Sequence, residues 1–397
     1  MSSRRAEQTA TRLLDGRVLI TGGTDGSDHV LSSTELFDPK TGRFIRGPAM
    51  SAARLDQTAT LLADGRVLVA GGFGQLGQAL RSLASAEIFD PTTNSWLNAA
   101  PMSVPRARQT ATLLEGGRVL VVGGYSAGKP GKLGGFVTLA EIYDPLANRW
   151  SATNPMGTGG RQGHTATLLS DHRVLVAGGE GGLGSNPSAE VYDESTNSWS
   201  FIHFLLAPHV GHTATTLLDG RVLIVGGAGS ISPTLNEPAG LATAELYDPP
   251  ADRWKLLAPM HSTRDHHTAT LLRDGRVLVV GGSFTSTPLP EVYDVRSDKW
   301  ASVPGASVDR FSHTATLLDD GRVLVAGGYT SASTASSWLY DPTGSPAIGP
   351  GRFSPPGLPL LVAAGMAALL LLAWRKPSLI RLPRLAARPR GDEWIDP

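Results

Sequence analysis

The chain has 397 residues, of which 41% are hydrophobic and 18% charged, with 47 glycines and 28 prolines. That composition supplies a sizeable core and favours many short strands and turns over long helices. It contains no cysteine and has a formal net charge of zero, which excludes disulfides, thiolate metal sites and cysteine nucleophiles while leaving the redox compartment open.

The charge is unevenly placed. The last 23 residues carry Arg375, Lys376, Arg381, Arg384, Arg388 and Arg390 against Asp392, Glu393 and Asp396, a balance of +3. The preceding sequence has 29 basic against 32 acidic residues, so no basic surface is expected and no nucleic-acid partner. At the N-terminus Met1 to Ala10 is polar and charged, with none of the apolar run of a secretory signal.

Seven segments then share one pattern, T-A-T-x-L-L, a two-residue turn, R-V-L-(V/I), one residue and a glycine pair. The pairs are Gly22-Gly23, Gly71-Gly72, Gly123-Gly124, Gly178-Gly179, Gly226-Gly227, Gly281-Gly282 and Gly327-Gly328, spaced by 49, 52, 55, 48, 55 and 46 residues. Each unit parses into four strands. Strand A is the T-A-T run, ended in five units by Asp-Gly, a pair that tolerates the positive φ of a tight hairpin. Strand B is an unbroken apolar run, as suits a strand covered on both faces. Its glycine pair leaves no side chain where strands converge. Strand C reads A-E-(L/I/V)-(F/Y)-D, with Glu35, Glu87, Glu141, Glu190, Glu245 and Glu291. Strand D opens on an aromatic, Phe44, Trp96, Trp150, Trp199, Trp254 or Trp300.

An isolated four-stranded sheet cannot bury both faces, and radial stacking of the units solves that problem. A period near 50 residues with a glycine pair, a downstream Tyr or Phe and a spaced tryptophan resembles the kelch family over roughly residues 5–350. The resemblance implies an all-β fold, a seven-bladed propeller of four-stranded antiparallel blades around a central channel. Gly71, Gly72, Gly123, Gly124, Trp96, Trp150, Trp199, Trp254 and Trp300 are expected to be structural. Kelch propellers also include copper oxidases similar to galactose oxidase, whose cofactor joins a tyrosine to a cysteine; without cysteine that cofactor cannot form here.

The seventh unit departs from the pattern. Trp338 replaces the strand C glutamate and Ala347 stands where the tryptophan belongs. Its strand D is expected to be irregular around residues 345–353. Since the chain begins directly at strand A, either the ring closes weakly or sequence upstream of Met1 completes it.

Residues 351–357 form a Pro/Gly linker, and residues 358–374 are almost continuously apolar, the short end of what spans a bilayer as one helix. Arg375-Lys376 and the basic tail, 375–397, follow Trp374, and the tail is expected to be disordered. The positive-inside rule puts that tail in the cytoplasm and the propeller outside. The expected organisation is therefore a propeller, 1–350, on a single-pass C-terminal transmembrane α-helix.

Strand order places the B–C loops and D–A connections on one face. The B–C loops vary widely in length, and variable loops on a regular scaffold are where function usually resides. Two polar rings border this face. Gln8, Gln57, Gln109, His164, His212, His267 and His313 directly precede strand A; Arg5, Arg54, Arg106, Arg161, His209, Arg264 and Arg310 stand three residues earlier. The first ring reads as bonding backbone within or between blades. The second reads either as hydrogen bonding to strand ends or as an electropositive rim for carboxylate or sulfate. Off-template polar residues on the same face include Asp25, Asp28, His29, Asp56, Lys129, Lys132, Glu180, Glu237, Asp265, His266 and Asp309. The candidate ligand-binding set is Arg54, Arg106, Arg161, His209, Arg264, Arg310, Asp56, Asp265, His266 and Asp309.

No phosphate loop, zinc helix or sialidase Asp-box is present, and no catalytic set, metal or cofactor is assigned. The leading expectation is a non-enzymatic recognition module at a membrane, binding protein or glycan. The alternatives are a carbohydrate-active enzyme of mutarotase or lyase type and a structural component of the cell envelope.

Overall fold

The computed structural model describes residues 1–343, apart from positions 28, 77–78, 129–133, 183, 232–237, 283–287 and 304–308. These residues form a seven-bladed β-propeller of antiparallel sheets. Blade 1 runs outward through strands A to D, Thr9–Arg12, Val18–Thr21, Thr34–Asp38 and Arg43–Arg46. Blades 2–6 repeat the same four-strand order. In blade 7, Thr314–Leu317, Val323–Ala326 and Ser337–Tyr340 form strands A to C. Trp338 pairs with Val325 there, the register that strand C glutamates hold elsewhere, as Glu291 does opposite Val279.

The expected strand D of blade 7 (345–353), the linker, the transmembrane segment 358–374 and the basic tail lie outside the described residues, as do Asp28, Lys129, Lys132 and Glu237. Among the described residues no helix is long and apolar enough to cross a membrane.

The core lies between blades. Successive strand B side chains point to opposite faces of the sheet, so each blade feeds two clusters. Leu19 packs with Met50, Val67, Val69 and Phe89 toward blade 2, while Val18 and Ile20 pack with Leu318, Leu324 and Ala326 toward blade 7. Strand B is therefore fully apolar because both of its faces are interior.

The outer seams are held by the strand D tryptophans. Each indole Nε1–H donates to a backbone carbonyl of the preceding unit: Trp96 to Pro48, Trp150 to Ala100, Trp199 to Asn154, Trp254 to His203 and Trp300 to Ala258, at 2.6–3.0 Å. The ring of each also packs on the strand C aromatic of its own blade, with centroids 4.8–5.2 Å apart.

The inner seams are held by the glycine pairs. The second glycine of each pair donates its N–H to the carbonyl of the arginine or histidine that precedes strand A of the next blade. All seven seams carry this bond, from Gly23 to Arg54 at 2.8 Å round to Gly328 and Arg5 at 2.7 Å. The geometry demands glycine. Gly71 and Gly72 have φ of +65° and +94°, and a Cβ would lie 2.6 Å from the carbonyl oxygen of Arg106 at the first and of Leu55 at the second. Gly123 and Gly124 repeat this against Arg161 and Ala107. Among the described residues, blade 7 joins blade 1 through the same apolar cluster type and the same hydrogen bond as every other seam.

Candidate functional site

The arginine ring is built into the blades. Arg54 donates to the carbonyls of Gly71 at 2.8 Å and Ser85 at 3.1 Å, and pairs with Glu87 at 2.8 Å. Glu87 in turn accepts the backbone N–H groups of Ser51 and Ala52. One buried ion pair thus pins the D–A connection to strands B and C. Arg5–Glu35, Arg106–Glu141, Arg161–Glu190 and Arg264–Glu291 repeat it at 2.6–3.6 Å, and in blade 5 His209 Nε2 takes the same place 3.0 Å from Glu245. Arg54, Arg106, Arg161 and His209 have no exposed surface and Arg264 has 1%. These candidate ligand-binding residues are therefore inside the blades and form no electropositive rim. Arg310 differs, because Trp338 occupies the glutamate position. Among the described residues it bonds Gly327 and Ser336, and burial pulls its guanidinium down to about 10, with Asp309 opposing. Asp309 itself is exposed.

The glutamine and histidine ring reaches the channel and latches neighbouring blades. Gln57 and Gln109 donate through Nε2 to the carbonyls of Thr21 and Ala70, and Gln8 closes the ring on Ala326, at 2.8–2.9 Å. The histidines take the same place: His164, His212, His267 and His313 meet the strand A threonines Thr110, Thr165, Thr213 and Thr268 of the preceding blades at 2.9–3.0 Å. Burial holds all four well below the ordinary imidazole range, His164 and His267 at about 3. They are neutral structural groups. Among the described residues no cluster of three or more His, Asp or Glu is arranged to hold a metal ion.

One residue before this ring is a second one, which the repeat pattern does not announce. Glu7, Asp56, Arg108, Gly163, Gly211, His266 and Ser312 all adopt left-handed φ, between +51° and +66°. Six of the seven steps around the axis carry a backbone hydrogen bond from one blade to its neighbour, such as Asp56 N–H to Glu7 at 3.2 Å and Arg108 N–H to Asp56 at 3.0 Å. Five side chains form a polar arc on blades 6, 7, 1, 2 and 3, while Gly163 and Gly211 leave blades 4 and 5 bare. Arg108 Nε donates to Asp56 Oδ2 at 2.9 Å, and its guanidinium lies 5.7 Å from the Phe73 ring centre. Burial, with the Asp56 charge adding to it, pushes the Glu7 carboxyl up to about 8. A cavity of about 300 Å³ opens here, lined by both rings except at blade 3, whose Arg108 and Gln109 stand outside the lining.

Asp56 and His266 are thus the sequence-predicted candidates that line the cavity. Asp265 is 9% exposed and sits beside His266, with Oδ2 3.5 Å from its Nδ1. Off the axis, Asp25 pairs with His29 at 3.0 Å and Glu180 accepts from Gln162 at 2.6 Å. Glu7 and Arg108 were missed, and the signal for them was Gly163 and Gly211 in the equivalent positions, glycine being the residue that marks a positive φ.

The B–C excursions of blades 2–5 are two-stranded ribbons, Phe73–Leu76 with Ala79–Ser82, Tyr125–Ser126 with Gly135–Phe136, Glu180–Gly181 with Gly184–Ser185, and Ala228–Ile231 with Pro238–Gly240. Neighbouring ribbons touch: Ser82 Oγ donates to the Tyr125 carbonyl at 3.1 Å and accepts the Ala127 N–H at 2.8 Å. Each ribbon starts against the residue that precedes the left-handed position of its own blade, Leu55 with Phe73, Ala107 with Tyr125, Gln162 with Glu180 and Val210 with Ala228. On the opposite face the A–B connections are tight turns, six of the seven stiffened by an Asp–Arg pair such as Asp64–Arg66, while Arg118 of blade 3 pairs with Glu194 instead.

A model of the Kelch motif matches residues 8–51 and 57–103. Kelch-like protein 23 of Homo sapiens is 27% identical over 259 residues, 64% of this chain and 42% of that protein. Kelch-like protein 15 of Mus musculus is 28% identical over 219 residues, 50% of this chain and 34% of the other. The chain thus spans less than half the length of these relatives. Among solved structures, a fungal alcohol oxidase of the AA5 family in complex with copper superposes with a TM-score of 0.65 at 19% identity, covering 83% of this chain and 71% of its own. YjhT superposes with a TM-score of 0.60 at 17% identity, covering 76% and 98%; at such identities the likeness is one of fold alone. The chain is thus a β-propeller whose first two units match the Kelch motif and which is similar to kelch-like proteins over up to 64% of its length.

Proposed function

We propose that this propeller is a non-enzymatic interaction module that binds a protein through its B–C/D–A face. The observation that carries the reading is the asymmetry between faces. Four consecutive blades raise ribbons beside the open channel mouth, whereas the opposite face offers only uniform tight turns. The kelch-like relatives favour the same class of role. Shortening the ribbons of blades 2 and 3 to direct B–C turns should abolish capture of a crosslinked partner from the source cells, while changes to the A–B turns should leave it intact. Equal loss from both sets would sink the proposal, and a ligand found on a glycan array instead would change its class.

We further propose that residues 358–374 hold the module at a membrane, with the basic tail on the cytoplasmic side. The supporting observation is an uncharged apolar segment followed by Arg375-Lys376. The full chain should resist extraction by alkaline carbonate and be released when residues 358–397 are deleted. Extraction of the full chain by carbonate would refute the tether, and protease digestion of the propeller in intact cells reports its side.

A further inference from the structure

The cavity at the channel mouth has an imbalance in its hydrogen bonding. Gln8 and Gln57, 7% and 6% exposed, line it and use their amide N–H groups on backbone carbonyls. Their Oε1 atoms are left without a partner, as is Glu7 Oε2 on the same wall. Buried acceptors without donors are costly, about 1–3 kcal/mol each. His164 and His267 add to the imbalance: each bonds a strand B carbonyl, of Val122 and Val225, and leaves Nδ1 bare. Being neutral, they offer lone pairs there. No lysine or arginine lines the cavity among the described residues, and its charged members on the arc are Glu7 and Asp56. The bare backbone at Gly163 and Gly211 provides the room opposite them.

We infer that the channel mouth receives a protonated primary amine, the head of a lysine side chain on the protein that this face binds, seated against Glu7 and Asp56. This rests on the interaction reading above. An ammonium carries three N–H donors and one positive charge, and so supplies both things the wall lacks. Arg108 does not fill the role: its Nε is committed to Asp56, it packs over Phe73, and it stands outside the cavity lining. Glu7 is faced by Asp56 from blade 2, Arg108 from blade 3 and Tyr329 from blade 7. With the carboxyl pushed up to about 8, an arriving ammonium displaces its proton, and binding is coupled to proton release.

The test uses n-butylamine as the probe, with n-butanol as the uncharged control, titrated calorimetrically into the purified protein. Butylamine should bind at least tenfold more tightly than butanol. Its affinity should rise by up to tenfold per pH unit from pH 6.5 and level off above about pH 8, as Glu7 gives up its proton. Glu7→Gln should lower affinity at least tenfold and flatten the pH dependence. Arg108→Gln should raise affinity several-fold, a gain that misfolding cannot produce. Equal binding of amine and alcohol, no heat from either, or an unchanged Arg108→Gln variant would overturn the inference. Because the probe needs no partner and no ribbon, its failure leaves the ribbon-shortening experiment to decide the interaction reading separately.

Discussion

The backbone N–H of Gly328 donates to the carbonyl of Arg5 at 2.7 Å, joining the last blade to the first. The same bond, between the same repeat positions, recurs at each of the other six seams. A Cβ at Gly328 would lie 2.7 Å from the Phe311 carbonyl oxygen, and φ is +92°. Gly328→Ala should therefore destabilise the fold by about 2–4 kcal/mol, as overpacking and a left-handed φ do together. Gly72→Ala should cost a similar amount, since its surroundings are equivalent. Urea denaturation of both variants checks this; a markedly smaller effect at Gly328 would mean a looser closing seam.

Arg54 and Arg310 occupy one repeat position with different partners. Arg54→Met strands the buried Glu87 carboxylate and should cost about 3–5 kcal/mol. Arg310→Met strands no carboxylate, because Trp338 stands in its place, and should be tolerated with at most about 1–2 kcal/mol lost. Denaturation midpoints of the two variants decide it, and equal losses would contradict the role given to the strand C glutamates.

Four buried histidines make the fold acid-sensitive. Their native values lie below the ordinary 6.5, with His164 and His267 at about 3. The unfolded chain takes up protons first, so the stability they contribute is present above about pH 6.5 and lost as pH falls toward 3. Glutamine already serves at Gln8, Gln57 and Gln109. Replacing all four histidines by glutamine should thus keep the fold and flatten the stability curve between pH 6.5 and 4, read by melting temperature across that range.

Trp150 donates to the Ala100 carbonyl at 2.6 Å and packs on Tyr143 with centroids 4.9 Å apart. Trp150→Phe keeps most of the packing and should cost about 1–2 kcal/mol for the orphaned carbonyl. Trp150→Ala should cost about 3–5 kcal/mol, as large aromatic deletions do. A Phe variant as damaged as the Ala variant would show that the seam depends on the indole N–H alone.

The fold was legible because the repeat writes it seven times. The apolar run of strand B and the glycine pair recur in all seven units and the tryptophan in five, each with one structural job. The site was only partly legible for the same reason. For Arg54 and its equivalents the sequence left two readings, hydrogen bonding to strand ends or a rim, and could not decide between them because it did not show that Glu87 and its equivalents lie alongside to hold them inward. Asp56 and His266 stood out as departures from the template. Glu7 and Arg108 did not, since their neighbours in the ring are glycines, and the left-handed turn they share is a property of backbone rather than side-chain type. The ribbons of blades 2–5 were read as loops, as their few residues are rich in glycine and serine and show no alternation.

That left-handed ring has an evolutionary consequence. Its seven positions are fixed by main-chain bonds, and the fold accepts glutamate, aspartate, arginine, histidine, serine or nothing at all in them. Blade assembly and mouth chemistry are therefore uncoupled. Single codon changes at these positions can retune what the opening attracts while the closure of the circle stays the same.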